Sequence, residues 1–100
     1  MAYEIELGRD AQRHLRNLPA RDRSRVLDEI ERQLTHQPTL ETQHRFPMRP
    51  NQTAAWELWV DPLRVYYDVL GEEQVVLIKA VGRKVGNRVL IDGREVNLNE

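Results

Sequence analysis

The spacing of hydrophobic positions changes twice along the chain, and each change predicts a different kind of element. Between Tyr3 and Leu7, apolar residues alternate with acidic ones, as in a half-buried β-strand. After Asp10, which is a suitable N-cap, apolar residues recur at helical spacing until Pro19 ends the helix. The N-terminal segment therefore predicts one strand followed by one short amphipathic helix.

A second amphipathic helix is predicted from Ala20 or Arg21 to a point before Pro38. Its apolar stripe consists of Val26, Leu27, Ile30 and Leu34. Residues 37–53 then contain three prolines and almost no periodicity. Loops beyond about 12 residues in a compact domain are usually functional or mobile. We therefore interpret this segment as a long loop that separates the helical hairpin from the rest of the chain.

Three consecutive antiparallel strands are predicted after the loop, starting at Trp56. The first and second alternate apolar and polar positions and are joined by a tight turn at Asp61-Pro62. A second turn at Gly71-Glu72 leads into Val75 to Val81, which is apolar except for Lys79. A nearly continuous apolar run is typical of a central strand that is covered on both sides.

Strand parity sorts the side chains of this meander into two faces. The face predicted to meet the helices carries Trp56, Leu58, Val60, Val65, Tyr67 and Val69. The opposite face carries Glu57, Trp59, Arg64, Tyr66 and Asp68. An arginine in the middle of the sheet thus points away from the helices, where we expect an open hollow.

A closing β-hairpin is predicted at the C-terminus. Gly82 and Gly86 are interpreted as the residues that end and bend the third strand. Arg88 to Ile91 and Arg94 to Leu98 then form two short strands. The Asp92-Gly93 dipeptide between them favours a two-residue turn with positive φ angles. Together these elements predict an α+β fold in a single domain that spans residues 1–100.

Composition narrows the chemistry. The chain has no cysteine, which excludes disulfides, thiolate metal sites and cysteine nucleophiles. The histidines have no spacing that indicates a metal site, and we expect neither a metal nor another cofactor. The N-terminal residues lack the apolar segment of a signal peptide, and no apolar run approaches the length of a membrane span. We therefore expect a cytoplasmic protein with no membrane partner.

The charge balance argues against general attraction to nucleic acid. The formal net charge is −1, and of the 15 basic residues only Lys79 and Lys84 are lysines. Arginine favours planar, bidentate contact with carboxylate or phosphate. Any nucleic-acid role must therefore depend on a local basic site, since the overall charge provides no attraction.

The order of these motifs resembles the RelE/ParE superfamily of type II toxin–antitoxin toxins. The resemblance covers almost the whole chain and starts with MAYEIEL and the L-x-x-L-P helix stop at Leu15 to Pro19. Its most specific part is W-E-L-W-V, L-R-V-Y-Y-D-V and V-V-x-L-I-K-A-V-G-R-K. Within it, Arg64, Tyr67 and Gly82 match the recurring pattern of the superfamily. The resemblance implies two helices on one face of a curved antiparallel sheet whose other face is concave.

The resemblance also implies an activity and a partner. Members that are endoribonucleases cut mRNA in the ribosomal A site by setting a ribose 2′-hydroxyl against the adjacent phosphate. Arg64 matches their phosphate-stabilising arginine, and Arg83 or Lys84 matches the basic residue after the third-strand glycine. The resemblance implies a cognate antitoxin as partner, with ribosome and mRNA as further partners. We also consider that the protein forms a homodimer.

Two departures from the ribonuclease pattern change the candidate chemistry. Glu57 and Trp59 stand where RelE-type members carry lysines, and Leu90 lies where a tyrosine or histidine often serves as acid or base. We therefore assign Glu57 as a candidate general base and Tyr66 as a candidate acid. The candidate substrate contacts are Lys84, Trp59 and Arg45.

Alternative interpretations stay open at the level of sequence. ParE-like members use the same scaffold to inhibit DNA gyrase without chemistry on nucleic acid, and a non-catalytic scaffold that only binds an antitoxin is a third option. Arg64 is also compatible with a structural ion pair to Glu57, Asp61 or Asp68. Trp59 and Tyr66 can stack on bases. The simpler structural interpretation, which we favour, is that the long loop, the C-terminal hairpin or a partner covers them.

Overall fold

The predicted order of strand, helical hairpin, meander and closing hairpin is observed in the computed structural model, which describes residues 2–96. The two helices are α1 (Arg9–Arg16) and α2 (Ala20–Leu34). The strands are β1 (Glu4–Leu7), β2 (Arg45–Pro47), β3 (Trp56–Val60), β4 (Leu63–Leu70), β5 (Val75–Val85), β6 (Arg88–Ile91) and β7 (Arg94–Val96). Asn97 and Leu98, which were predicted to continue the last strand, lie outside the described residues.

These strands form one open sheet in the order β2-β3-β4-β5-β6-β7. Neighbours in this order are antiparallel, which confirms the predicted meander of β3, β4 and β5 and the closing hairpin of β6 and β7. β1 pairs in parallel with the first part of β5, and both helices and strands β2 to β4 lie between them in the sequence. With two helices packed on this sheet, the fold is α+β, and the prediction of fold class is confirmed.

The main core lies between the helices and one face of the sheet. Its buried members include Leu15 of α1, the α2 stripe of Val26, Ile30 and Leu34, and the predicted inward positions of β3 and β4, namely Leu58, Val60, Val65 and Tyr67. Burial of this kind stabilises by about 25 cal/mol for each Å² of apolar surface removed from water. The strand parity read from the sequence is therefore confirmed for β3 and β4.

Three predictions about element boundaries were wrong. Asp10 does not cap α1; the N-cap is Gly8, and Asp10 lies in the first turn. The long loop contains the short strand β2, which pairs with β3. Its three residues are too few to show an alternating pattern in the sequence. Gly82 does not end the third strand, because β5 continues through it to Val85.

A β-bulge at Lys79 interrupts the alternation of the third strand. Tyr66 pairs with Ala80 and Tyr67 pairs with Ile78, so Lys79 is the extra residue. The bulge shifts the alternation by one, so that Ala80 and Gly82 lie on the outer face of the sheet, opposite Tyr66 and Arg64 respectively. Two small side chains therefore leave room above the middle of this face.

The β6–β7 hairpin occupies part of that room. Val89, Ile91 and Val96 of the hairpin, together with Met48 of the long loop, pack on a small second core of Ala54, Tyr66 and Ala80. The outer face is therefore partly covered, as the simpler structural interpretation of Tyr66 predicted. The hairpin can approach because a Cβ at Gly82 would lie only 2.9 Å from the Leu90 carbonyl oxygen and 2.9 Å from Ile91 Cγ1.

We predict that Gly82→Ala lowers the free energy of unfolding by about 1–3 kcal/mol, because the added methyl group pushes against the backbone of strand β6. Amide exchange in β6 and β7 should increase more than exchange in β3 and β4. Gly71→Ala is a matched control, since a Cβ at Gly71 would meet no atom of the described residues within 4 Å. Equal stability of the two variants by urea unfolding would contradict this account of the hairpin.

Candidate functional site

A pocket of about 390 Å³ lies where the outer face of the sheet meets the C-terminal hairpin. Its lining includes five residues that the sequence singled out, which are Glu57, Trp59, Arg64, Tyr66 and Lys84. The hairpin contributes Arg88, Val89, Glu95 and Val96, and Met48 closes one side. The pocket is therefore the place where most of the predicted site residues meet.

Antiparallel register brings these side chains together in two rows. In the first row Trp59 on β3 lies directly opposite Arg64 on β4, and in the second row Glu57 lies opposite Tyr66. Side chains on directly opposite positions of one face have Cβ atoms about 4.5–5.5 Å apart. The aromatic residues and the charged residues of the site are thus held by the sheet itself.

Arg64 faces this pocket, but it is not the freely exposed guanidinium that the sequence led us to expect. The residue is only 4% exposed. Nη1 donates to Asp61 Oδ1 at 2.7 Å and to the Leu63 carbonyl oxygen at 2.9 Å. The guanidinium carbon lies 4.3 Å from the centre of the Trp59 ring, a cation–π contact. The expectation of an open position is wrong, and the ion pair with Asp61 is the one observed among the alternatives.

One edge of the Arg64 guanidinium, formed by Nε and Nη2, has N–H donors that are not used in the described residues. Within residues 2–96, no hydrogen bond is made by Nε or Nη2 of Arg64. A guanidinium has five N–H donors in a planar fork, so pairing through Nη1 leaves the other edge able to meet an oxyanion. Arg64 therefore combines a fixed orientation with an unused pair of nitrogen atoms.

The β3–β4 turn that carries Asp61 is tied to the rest of the protein. Arg25 of α2 donates to the carbonyl oxygens of Val60 and Asp61. The backbone N–H of Lys84 donates to the Pro62 carbonyl oxygen at 2.8 Å. The turn is thus anchored by a helix and by β5, which fixes the backbone of Asp61 relative to Arg64.

Tyr66 is the most unusual polar group of the site. The residue is 0% exposed, and its hydroxyl has no hydrogen-bond partner among the described residues. Burial raises the pKa of Tyr66, and the nearby Glu57 raises it further, while Arg64 lowers it. Buried hydroxyl groups are normally hydrogen-bonded, so an orphaned one in a pocket lining is a candidate for contact with a ligand.

The other polar groups around the pocket are mostly paired. Glu57 accepts a hydrogen bond from Trp59 Nε1 at 2.5 Å. Arg88 and Glu95 lie 3.8 Å apart and are both exposed, so their ion pair is weak. Lys84 is exposed, and it has no ion pair within residues 2–96. Its Nζ lies 5.9 Å from the Trp59 ring centre.

Trp59 contacts other side chains on its ring. Phe46 of β2 packs against it with ring centroids 4.7 Å apart, and Arg64 makes the cation–π contact with it. These contacts leave little of the ring for stacking on a base. The position of Trp59 is better explained as a platform that orients Arg64.

Two predicted site residues lie elsewhere. Arg83 faces the helices and donates to Asp22 of α2 at 3.2 Å. It lines a different pocket, of about 400 Å³. Arg45 is buried at the end of α2, where it donates to the carbonyl oxygens of Gln33 and Gln37. Arginine side chains commonly satisfy the last carbonyl groups of a helix in this way. Contrary to the sequence-based expectation, neither residue lines the pocket that contains Arg64.

Sequence reasoning missed the contact that holds the C-terminal hairpin against α1. Asp92, in the predicted turn, accepts a hydrogen bond from Arg13 Nη2 at 2.6 Å and lies 3.3 Å from His14 Nε2. Buried His14 accepts a hydrogen bond on Nδ1 from the Val81 N–H at 3.1 Å. Nothing in the sequence links residues so far apart, although the turn itself was predicted and Asp92 has the expected positive φ of 56°.

We predict that this attachment weakens in acid. Hydrogen bonding from Arg13 lowers the pKa of Asp92 below its ordinary value of 3.8. Because the folded-state pKa is depressed, the contact contributes stability that is complete above the ordinary pKa and is lost as pH falls through the folded value. Asp92→Asn should therefore lower the urea midpoint at pH 7, and this deficit should shrink near pH 3. A deficit independent of pH would contradict the assignment, and exposed Glu72→Gln serves as control.

Two features are absent from the described residues. Within residues 2–96, no helix is long and apolar enough to cross a membrane. The same residues contain no group of three or more histidine, aspartate or glutamate side chains placed to hold a metal ion.

Comparison with known proteins finds similarity in structure only. No protein-family model matches the sequence, and no curated protein matches it significantly. A chain of the toxin–antitoxin complex RelBE2 from Mycobacterium tuberculosis superposes with a TM-score of 0.73 at 21% identity, covering 84% of this chain and 93% of that one. A chain of the archaeal RelE–RelB complex from Pyrococcus horikoshii gives 0.67 at 19% identity, covering 87% and 99%. The structural neighbours are RelE toxins, so the resemblance inferred from sequence is confirmed at the level of the fold: this chain has the RelE fold.

Proposed function

We propose that this protein is the toxin of a type II toxin–antitoxin pair and that a small cognate antitoxin binds it. The support is the shared fold over more than four fifths of the chain with proteins crystallised in toxin–antitoxin complexes. An antitoxin of this kind is partly disordered when alone and orders on binding, which lets a short chain cover a large surface. We place the pair in the cytoplasm, where its proposed target is found.

The activity we propose is ribosome-dependent cleavage of mRNA. The observation that carries it is the convergence of Arg64, Lys84, Glu57 and Tyr66 on one pocket. Attack of a ribose 2′-hydroxyl on the adjacent phosphate needs a base at the hydroxyl, positive charge at the phosphate and an acid for the departing 5′-oxygen. The pocket lining includes at least one candidate for each role.

The roles follow from the environment of each group. The unused edge of Arg64 meets the phosphate oxygens, and exposed Lys84 adds a second positive charge. Glu57 is the candidate base. Tyr66 is the candidate acid because its hydroxyl is protonated and has no hydrogen-bond partner among the described residues. Trp59 holds Arg64 in place.

One observation favours a second candidate function, the binding and inhibition of a protein target in the manner of ParE. Arg64 is already paired with Asp61, and Arg88 is paired with Glu95. Within the described residues, Lys84 is thus the pocket cation without an ion pair. A pocket that is close to neutral suits a protein contact, or a scaffold that only binds an antitoxin, better than it suits a polyanion.

Expression of the chain without a partner separates these functions. If the protein is a ribosome-dependent endoribonuclease, growth should stop and new mRNA 5′ ends should appear in phase with codons. Growth arrest with intact transcripts and altered plasmid supercoiling would indicate a gyrase inhibitor instead. If a stably expressed chain causes no growth arrest, the remaining interpretation is a non-catalytic scaffold that only binds an antitoxin. Light scattering on the purified protein tests the homodimer separately.

A further inference from the structure

We propose that Asp61 is an internal counter-ion that competes with an external oxyanion for Arg64. The free protein then holds its arginine in a paired state of low affinity, and a phosphate that approaches the free edge of the guanidinium must overcome the charge of this carboxylate. The identity of the anion as RNA phosphate rests on the proposed function, whereas the competition itself rests on the geometry of the ion pair.

The contact is built asymmetrically. Arg64 is almost fully buried, but the side chain of its partner Asp61 is 74% exposed. A buried guanidinium cannot move easily because Trp59 and the sheet backbone hold it. An exposed carboxylate that rotates away from Arg64 remains solvated by water, so its movement carries no desolvation cost. If one partner of this ion pair moves when an anion arrives, it is therefore Asp61.

The anchored turn makes the competition effective. Because Arg25 and the Lys84 backbone hold the turn, the Asp61 carboxylate stays at a high local concentration beside Arg64. An intramolecular partner at such a distance competes as if it were present at millimolar concentration or above. An oxyanion with a single weak contact should bind Arg64 poorly in its presence, whereas a ligand with several contacts in the pocket should bind.

Electrostatics point in the same direction. The carboxylate cancels much of the positive charge that Arg64 presents to the pocket, and a second anion at the free edge of the guanidinium is also repelled by it. Asp61→Asn retains an oxygen that accepts the Nη1 hydrogen bond and removes only the charge. This variant therefore separates the charge of Asp61 from its role in orientation.

Phosphate binding tests the proposal directly. Titration with inorganic phosphate at constant ionic strength, followed by the fluorescence of Trp59 in a Trp56→Phe background, should give about tenfold tighter binding for Asp61→Asn. Exposed Glu72→Gln removes the same charge at a distance and should leave the affinity unchanged. The gain should vanish in Asp61→Asn/Arg64→Ala. Asp61→Ser replaces Asp61→Asn if the latter does not fold.

Unchanged or weaker phosphate binding by Asp61→Asn would overturn the proposal, as would a gain that survives loss of Arg64. A second titration with a 2′-O-methyl RNA trinucleotide distinguishes nucleic acid from free phosphate as the natural anion. The proposed function can fail independently. If phosphate binds as expected and cells show no mRNA cleavage, the role of Asp61 as counter-ion is supported and the endoribonuclease activity is contradicted. If cells show mRNA cleavage but Asp61→Asn does not bind phosphate more tightly, only the role of Asp61 is contradicted.

Discussion

Arg64→Ala is expected to lower RNA cleavage by about two to three orders of magnitude and to leave the fold intact. Removal of one preorganised donor that stabilises transition-state charge typically costs a factor of about 10² to 10³. Arg64 is the buried cation of the pocket, and its unused edge is held in one orientation by Trp59 and Asp61. Cleavage of ribosome-bound mRNA in a reconstituted translation reaction measures the effect.

The fold should survive because the charged partner left behind is exposed, and the only buried loss is the hydrogen bond to the Leu63 carbonyl oxygen. Asp61 is exposed at its carboxylate and can be solvated by water once Arg64 is removed. Circular dichroism and urea unfolding check this expectation. Arg88→Ala is the matched control, since Arg88 lines the same pocket and is exposed. An equal loss of cleavage in both variants would show that the pocket needs net charge and not an oriented guanidinium.

Periodicity was sufficient to predict the parts of the fold that depend on local sequence. The apolar stripe of α2 and the alternation of β3 and β4 each repeat a simple pattern, and the structure places both in the main core except for Leu27, which was predicted in the stripe but is 38% exposed. The same alternation put Arg64 and Tyr66 on the outer face, where both now line one pocket. Local patterns thus determined which side chains could meet.

The degree of closure of that face could not be predicted, because it depends on contacts between distant segments. The C-terminal hairpin covers Tyr66 only because Gly82 lets β6 approach and because Asp92 binds α1. In the sequence, Gly82 resembles a strand breaker, and its role as a close-approach site becomes visible only beside Leu90.

Tyr66→Phe is expected to make the protein more stable and less active. The Tyr66 hydroxyl is buried without a hydrogen-bond partner among the described residues, and such a group costs about 1–3 kcal/mol. Removing it should raise the free energy of unfolding by about 1 kcal/mol in urea. If the hydroxyl donates a proton to the leaving oxygen, cleavage should fall by about 10² or more.

Tyr67→Phe provides the comparison that gives this result its meaning. Both tyrosines are 0% exposed neighbours on β4, and burial raises the pKa of each. The Tyr67 hydroxyl, however, donates to the Pro38 carbonyl oxygen at 2.6 Å, so its removal leaves an unsatisfied acceptor and should destabilise the fold. Opposite signs of the two stability changes, with cleavage lost only in Tyr66→Phe, would identify the orphaned hydroxyl as a functional group. Destabilisation by both changes would instead mean that Tyr66 finds a partner inside the folded protein, and its assignment as the acid would be withdrawn.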